Sequence, residues 1–261
     1  MLRTRIITAV IALAVLGVVL FVIPSQLAEL FIAVVVLAGA WEWSGFLGVS
    51  GSMSRSAYTL VIGTLMVATY MLLPVVSVPV LQIAFLWWFG AFVWTLFYPT
   101  SIPPIIRMIV GALVLVPMFL ALILLYRMGP LVLLLALLIV WAADAGAYFA
   151  GKQFGRVKLA PSISPGKTWE GVLGGLVAVA LLALAVAQWS DASLAVLLPF
   201  CLAVAALSIV GDLTVSMFKR TAGVKDSGSL FPGHGGVLDR VDSVAAAAPL
   251  FALGLRWLEL V

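Results

Sequence analysis

The sequence predicts an all-α protein, a polytopic integral membrane helical bundle. Hydrophobic residues make up 65% of the 261 residues and charged residues 9%, and the mean hydropathy is +1.28. A soluble domain is usually about 45–50% apolar and about 25% charged. The apolar residues form continuous runs close to the roughly 20 residues that a transmembrane helix requires, without the alternation of a membrane barrel. These observations predict about nine transmembrane helices.

The predicted spans are nine apolar runs separated by proline, glycine and charged residues. They cover approximately residues 6–23, 27–47, 57–76, 79–98, 104–126, 130–150, 169–188, 192–211 and 243–260. The first run follows Arg3 and Arg5 as in a signal peptide, but it is long for one and no small-residue cleavage site follows it, so we expect it to be retained. We expect one membrane-embedded domain, residues 1–261, whose parts are spans 1–3 (1–76), spans 4–6 (79–150), and the long loops with spans 7–9 (151–261).

The distribution of cations predicts the orientation. With the amino terminus in the cytoplasm, twelve of the fourteen lysine and arginine residues lie on the cytoplasmic side, and only Arg127 and Arg256 lie outside. This asymmetry follows the positive-inside rule. The two long connections, residues 151–168 and 212–242, are then both cytoplasmic. We therefore expect any chemistry on water-soluble substrates to take place there.

Composition also excludes several classes of site. The single cysteine, Cys201, lies inside a predicted span, so neither a disulfide framework nor a Cys/His zinc site is available. The net charge of +4 comes without a basic stripe that contains interleaved aromatic residues. Nucleic acid is therefore not an expected partner.

Acidic residues collect at one predicted depth. They are Glu42, Asp144, Asp212, Asp239 and Asp242, which the orientation places in the cytoplasmic third of the membrane. A carboxylate in hydrocarbon costs at least about 2.5–3.5 kcal/mol, so it requires a partner, a cavity or a cation. Oxygen ligands below a lid of cations predict a Mg²⁺ and polyphosphate site. Taken singly, each acid is equally consistent with a side chain that only reaches the membrane interface. A transporter, by contrast, would have its acids spread through the membrane depth.

The segment GDLTVSMFKRTAGVKDSGSLFPGHGGVLDRVD, residues 211–242, carries the most specific pattern. It resembles the phosphatidate cytidylyltransferases, also called CDP-diacylglycerol synthases. The matching positions are Ser216, Lys219, Arg220, Lys225, Asp226, Pro232, His234, Gly235, Gly236, Asp239, Arg240 and Asp242. In a second segment, residues 144–171, they are Asp144, Tyr148, Gly151, Gly155, Ser164, Pro165, Lys167, Thr168 and Glu170. A weaker similarity surrounds Glu42 in AWEW.

The resemblance implies an Mg²⁺-dependent transfer of a cytidylyl group from CTP to phosphatidic acid, with pyrophosphate released. Together with the depth of the acids, it assigns metal binding, by one or two ions, to Asp212, Asp239 and Asp242. Asp144 and Asp226 are then further ligands or orient lysines. Phosphate binding is assigned to Lys167, Ser216, Lys219, Arg220, Lys225, His234, Gly235, Gly236 and Arg240. Lys152 and Lys158 are interpreted as solvated charges.

The resemblance also implies a homodimer among membrane lipids. A bacterial inner membrane, with the amino terminus and the active site in the cytoplasm, is the expected location. Two alternatives stay open. One is a CTP-dependent transferase or kinase that acts on another lipid acceptor, and the other is a cation-coupled transporter.

Overall fold

The computed structural model describes residues 2–48, 51–189, 192–228 and 235–258, and these residues form a helical bundle. The helices are α1 (Leu2–Phe21), α2 (Ser25–Ser44), α3 (Ser52–Met71), α4 (Leu73–Leu96), α5 (Pro104–Met128), α6 (Pro130–Phe154), α7 (Trp169–Ala187), α8 (Leu194–Thr221) and α9 (Leu238–Trp257). Each predicted span overlaps one of them, with ends displaced by up to about ten residues, so the all-α prediction is confirmed. A 3₁₀ turn at Gly45–Leu47 extends α2.

Six helices of the described chain are long and apolar enough to cross a membrane: α2 with its 3₁₀ turn, and α4 to α8. The molecule is therefore an integral membrane protein. The other three helices do not meet both conditions of length and apolar composition. α3 begins with a polar turn that contains Arg55, α9 carries Asp239, Arg240 and Asp242 at its start, and α1 contributes the apolar stretch Val10–Phe21.

The fifth helix forms the centre of the bundle. α5 contacts α2, α3, α4, α6 and α9, and nearly all of its residues from Val114 to Tyr126 are buried. Arg107, in its first turn, donates from its guanidinium to the carbonyls of Ile102 and Phe46, each at 2.8 Å. The indole of Trp43 in turn donates to the Arg107 carbonyl at 2.9 Å. This cation therefore holds α5 against the end of α2.

A two-stranded hairpin connects α6 to α7, where the sequence predicted only a loop. β1 (Lys158–Ala160) pairs antiparallel with β2 (Ser164–Thr168). Thr168 caps α7, because its hydroxyl accepts the Gly171 N–H at 3.1 Å. The Glu170 carboxylate accepts the Val157 N–H at 3.2 Å. These bonds fix the hairpin, and with it Lys167, above the ends of both helices.

Close helix contacts at glycine set the spacing around the acidic residues. A Cβ on Gly146 would lie 2.5 Å from the Gly174 carbonyl oxygen, and a Cβ on Gly174 would collide with Ala150. Between α8 and α9, a Cβ on Gly211 would lie 2.6 Å from the Asp242 carbonyl oxygen. Small residues at such crossings let helix backbones approach closely in a membrane.

Gly174→Ala should destabilise the protein by about 1–3 kcal/mol, because the added methyl group overpacks the contact between α6 and α7. Gly90→Ala on α4 is the matched control: nothing lies within 4 Å of a Cβ there. Alanine favours a helix over glycine by about 1 kcal/mol, so the control should keep or slightly gain stability. Thermal unfolding in detergent can be followed by the reaction of buried Cys201 with a thiol-reactive dye. Equal midpoints for both variants would contradict the packing argument.

The bundle is also held together at its other end. The Arg127 guanidinium contacts both oxygens of Glu29, at 2.6 and 2.9 Å, and the Tyr70 hydroxyl donates to Glu29 at 2.7 Å. These residues lie at the end of α5, the start of α2 and the end of α3. This cluster thus fixes three helices far from the acids near the end of α2 and the start of α9.

Candidate active site

Three helices bring carboxylates together at one end of the bundle. Asp144 lies on α6, Asp212 on α8 and Asp242 on α9. The charge of Asp212 acts on both other aspartates, and Lys167 of the hairpin attracts all three. Because α8 and α9 approach closely at Gly211, the adjacent Asp212 lies next to α9. We call Asp144, Asp212 and Asp242 the carboxylate cluster.

Asp212 has two defined partners. Its Oδ2 forms an ion pair with Lys167 Nζ at 2.7 Å, and its Oδ1 accepts the Ser216 hydroxyl at 3.1 Å. Ser216 lies one helical turn further along α8, so the i, i+4 spacing makes this contact possible. The side chains of Lys167 and Asp212 are about one quarter exposed, at 26% and 27%. The pair is therefore accessible to a ligand from solution.

Lys219 links the carboxylate cluster to the start of α9. Its Nζ lies 2.8 Å from Asp239 Oδ1 and 3.8 Å from Asp242 Oδ2. The lysine side chain is 9% exposed, and those of the two aspartates are 6% and 10% exposed. The amine thus balances two carboxylates in a site with little access to water, where an unpaired charge is costly.

Asp239 organises the described part of the loop before α9. Its Oδ2 accepts the backbone N–H groups of Ser227 and Gly236, each at 2.9 Å. Gly235 has a φ of +80°, and a Cβ there would lie 2.6 Å from the same carboxylate oxygen. Both requirements favour glycine at this position. Both oxygens of Asp239 are therefore committed to Lys219 and to the loop.

Glu42, which the sequence placed at the depth of the other acids without assigning it a role, belongs to the site. It is 8% exposed, and its two oxygens accept the N–H groups of Val237 and Leu238 at 2.9 and 2.8 Å and the Ser227 hydroxyl at 2.8 Å. A Cβ on Gly228 or Gly236 would collide with this carboxylate. An acid inside the apolar run AWEW was the available signal. Its partners, almost 200 residues away, could not be read from the sequence.

The other predicted site residues fall into three groups. Arg220 donates to the Ile163 carbonyl at 3.1 Å, so it connects α8 to the hairpin. Lys225, Asp226 and Arg240 are exposed, and within the described ranges no hydrogen bond or ion pair involves their side chains. His234, like Pro232, lies outside the described residues.

Comparison with known proteins gives the family. The model of the cytidylyltransferase family matches residues 3–258. The chain belongs to the cytidylyltransferase family. The resemblance drawn from the sequence is thereby confirmed.

Two relatives of this cytidylyltransferase align with nearly its whole length, and a third aligns with about half of it. The phosphatidate cytidylyltransferase of Pseudomonas aeruginosa is 46% identical over 267 aligned residues, which cover 98% of this chain and 97% of the relative. The Haemophilus influenzae enzyme of the same name is 36% identical over 282, with coverages of 97% and 98%. The enzyme of that name in Synechocystis is 50% identical over 125 residues, covering 47% of this chain and 42% of the relative.

The carboxylates of this cytidylyltransferase suit a magnesium ion whose remaining ligands come from the substrate phosphates. Among the described residues, no three His, Cys, Asp or Glu side chains are grouped closely enough to hold a metal by themselves. Mg²⁺ is usually bound through one or two carboxylates together with substrate phosphates. Asp212 and Asp242 provide such a pair. Asp239 is only 6% exposed and holds the loop through its Oδ2, whereas Asp212 is 27% exposed, so Asp239 fits less directly. The predicted triad of ligands stays a prediction.

Proposed function

We propose that this chain transfers the cytidylyl group of CTP to phosphatidic acid, giving CDP-diacylglycerol and pyrophosphate. The observation that carries the proposal is the carboxylate cluster, paired with Lys167 and Lys219 at the end of a membrane bundle. Relatives aligned over nearly the whole chain are named phosphatidate cytidylyltransferases. A site of this kind can receive a polyphosphate from water and a phosphate from a lipid headgroup.

The reaction we propose is a direct displacement at phosphorus. A phosphate oxygen of phosphatidic acid forms a bond to the α-phosphorus of CTP, and the bond from that phosphorus to the bridging oxygen of the β-phosphate breaks. Pyrophosphate leaves with the electron pair. The attacking phosphate is already anionic at neutral pH, so the enzyme has to position the substrates and stabilise charge, and it does not require a strong base.

The lysines and carboxylates divide this work in our proposal. Lys167 and Lys219 attract phosphate oxygens, and Lys167 can exchange Asp212 for a phosphate because the pair is partly exposed. Asp212 and Asp242 would hold Mg²⁺, which neutralises charge on the phosphates. Glu42 and Asp239 keep the loop before α9 in place. Lys225, Arg240 and His234 belong to the proposed phosphate-binding set.

Location and assembly are also proposals. The bacterial relatives and the apolar helices support a bacterial inner membrane. The excess of cations at the end that carries the carboxylate cluster supports a cytoplasmic amino terminus and active site. We extend the proposal to a homodimer on the basis of the family resemblance.

The experiment that tests the function uses detergent-purified protein with CTP, Mg²⁺ and phosphatidic acid. We expect pyrophosphate and CDP-lipid to form in equal amounts, and we expect both products to disappear with EDTA and in Asp239→Asn. Thermal unfolding shows whether that variant is folded. Full activity in Asp239→Asn would remove this residue from the site.

The lipid acceptor is tested in the same assay. If the folded wild-type protein does not use phosphatidic acid but uses a polyprenol or another lipid, the proposed acceptor is wrong. The use of CTP would then still stand. Absence of turnover with all acceptors would overturn the proposed transfer reaction and favour a transporter.

A further inference from the structure

The end of α6 and the neighbouring starts of β1 and α7 carry exposed aromatic and basic side chains that the reaction described above does not use. We call it the α6 rim and define it as Tyr148, Phe149, Lys152, Phe154, Lys158 and Trp169. Its aromatic side chains are 53–68% exposed, and both lysines are exposed as well. Aromatic and basic side chains together are typical of the level where lipid headgroups meet hydrocarbon.

One face of α6 connects the rim to the carboxylate cluster. Asp144, Tyr148 and Lys152 follow one another at intervals of four residues, which places them along the same side of the helix. Lys152 Nζ lies 5.8 Å from the centre of the Tyr148 ring, in agreement with this spacing. The side chain of Asp144 is also exposed on this face. A path of about 12 Å along the helix therefore leads from Lys152 to the cluster.

Several other cations at this end of the bundle are engaged by carbonyl, carboxylate or aromatic groups. Arg107 and Arg220 donate to backbone carbonyls, Lys167 and Lys219 pair with aspartates, and Arg55 lies over the Trp41 ring. In the part of the chain that the structure describes, the side chains of Lys152 and Lys158, like those of Lys225 and Arg240, form neither an ion pair nor a hydrogen bond, and Lys152 lies over the Tyr148 ring. Their charge is therefore available for an anionic ligand.

We propose that the α6 rim is the docking surface for the headgroup of phosphatidic acid, and that the lipid reaches the carboxylate cluster along α6. The occupant follows from complementarity: the lysines match a headgroup of net negative charge, the aromatic side chains match the glycerol and acyl region, and phosphatidic acid is the anionic lipid that the proposed reaction consumes. This inference rests on the proposed function and adds the route of its lipid substrate. It replaces the interpretation of Lys152 and Lys158 as solvated charges.

Lipid binding can be measured without turnover. Trp169 on the rim is 53% exposed, so its fluorescence should be quenched by brominated phosphatidic acid in vesicles more strongly than by brominated phosphatidylcholine at the same fraction. The chain has nine tryptophans, so the quenching that comes from Trp169 is taken as the difference between the wild type and Trp169→Phe. This difference should decrease in the double variant Lys152→Gln/Lys158→Gln. Equal quenching by the two lipids would overturn the proposal, whether or not the enzyme makes CDP-lipid.

Kinetics test the same surface in another way. In Lys152→Gln/Lys158→Gln we expect the KM for phosphatidic acid, as a surface fraction, to rise about ten-fold or more, since each lysine near an anionic surface contributes roughly one kcal/mol. The rise should exceed any change in the KM for CTP. Lys152→Arg/Lys158→Arg, which keeps both charges, should restore the KM, and Arg256→Gln at the far end of α9 should leave it unchanged. An unaltered KM in the double glutamine variant would overturn the proposal.

A second copy of the chain is the competing occupant. Lys152→Cys, combined with Cys201→Ala to remove the natural cysteine, tests it in membranes. Absence of a disulfide cross-link at residue 152 under oxidising conditions agrees with a rim open to lipid, whether or not the chain dimerises through another surface. Efficient disulfide-linked dimers would show that another copy covers the rim, and the proposal would then be wrong.

Discussion

Glu42→Ala is expected to lower turnover by about 10–100-fold, the range found when partners that orient metal-binding residues are removed. The substitution leaves two buried backbone N–H groups and the Ser227 hydroxyl without their acceptor. Each such group costs about 1–3 kcal/mol, so the loop should leave its position against α2. Steady-state kinetics should show the KM for CTP rising together with the fall in kcat. Glu42→Gln keeps one carbonyl acceptor and should be intermediate.

The matched control for Glu42 is Glu29→Ala on the same helix. Glu29 is also fully bonded, but its partners Arg127 and Tyr70 lie at the opposite end of the bundle. We expect this variant to lose stability and keep the kinetic constants of the folded enzyme. Trypsin adds a readout of the loop, because cleavage after exposed Lys225 should accelerate in Glu42→Ala only. Matching kinetics and cleavage in both variants would show that Glu42 acts on stability alone.

Lys219→Met should destabilise the protein by about 3–5 kcal/mol, the cost of breaking a buried ion pair from one side. Asp239 and Asp242 would both lose their cation in a site with little exposure. Turnover should become undetectable, since the same amine is proposed to attract substrate phosphates. Dye labelling of Cys201 on heating, together with pyrophosphate release, measures the two effects.

The double variant Lys219→Met/Asp239→Asn separates these effects. Neutralising Asp239 removes one of the uncompensated charges, so part of the lost stability should return while turnover stays absent. A double-mutant cycle gives the coupling energy of the pair. Additive losses in the cycle would mean that the 2.8 Å contact contributes no coupling to stability.

The helices and the depth of the acids could be predicted because both follow from the cost of placing backbone and charge in hydrocarbon. Runs such as residues 104–126 admit only a helix, and the structure has α5 there. The motif with fixed spacing was equally informative, because its residue types and their separations indicate the family without any knowledge of the fold.

The partners of each charge could not be predicted in this way. Counting cations by side gives Arg107, Arg220 and Lys219 the same weight, yet two of them donate to backbone carbonyls and one pairs with aspartates. The hairpin before α7 was also missed, since its strands are short and its sequence contains proline and glycine. These contacts depend on long-range packing, which the local sequence pattern does not encode.

The bond from Val237 to Glu42 joins residues 195 positions apart, and this separation has a consequence for biosynthesis. At about 5–20 residues per second, the ribosome makes the partner of Glu42 roughly 10–40 seconds after Glu42 itself. During this interval the second helix carries a carboxylate that still lacks its permanent hydrogen-bond donors. A chain that stops before the last helix keeps this defect, so truncated products should be substrates for membrane proteases.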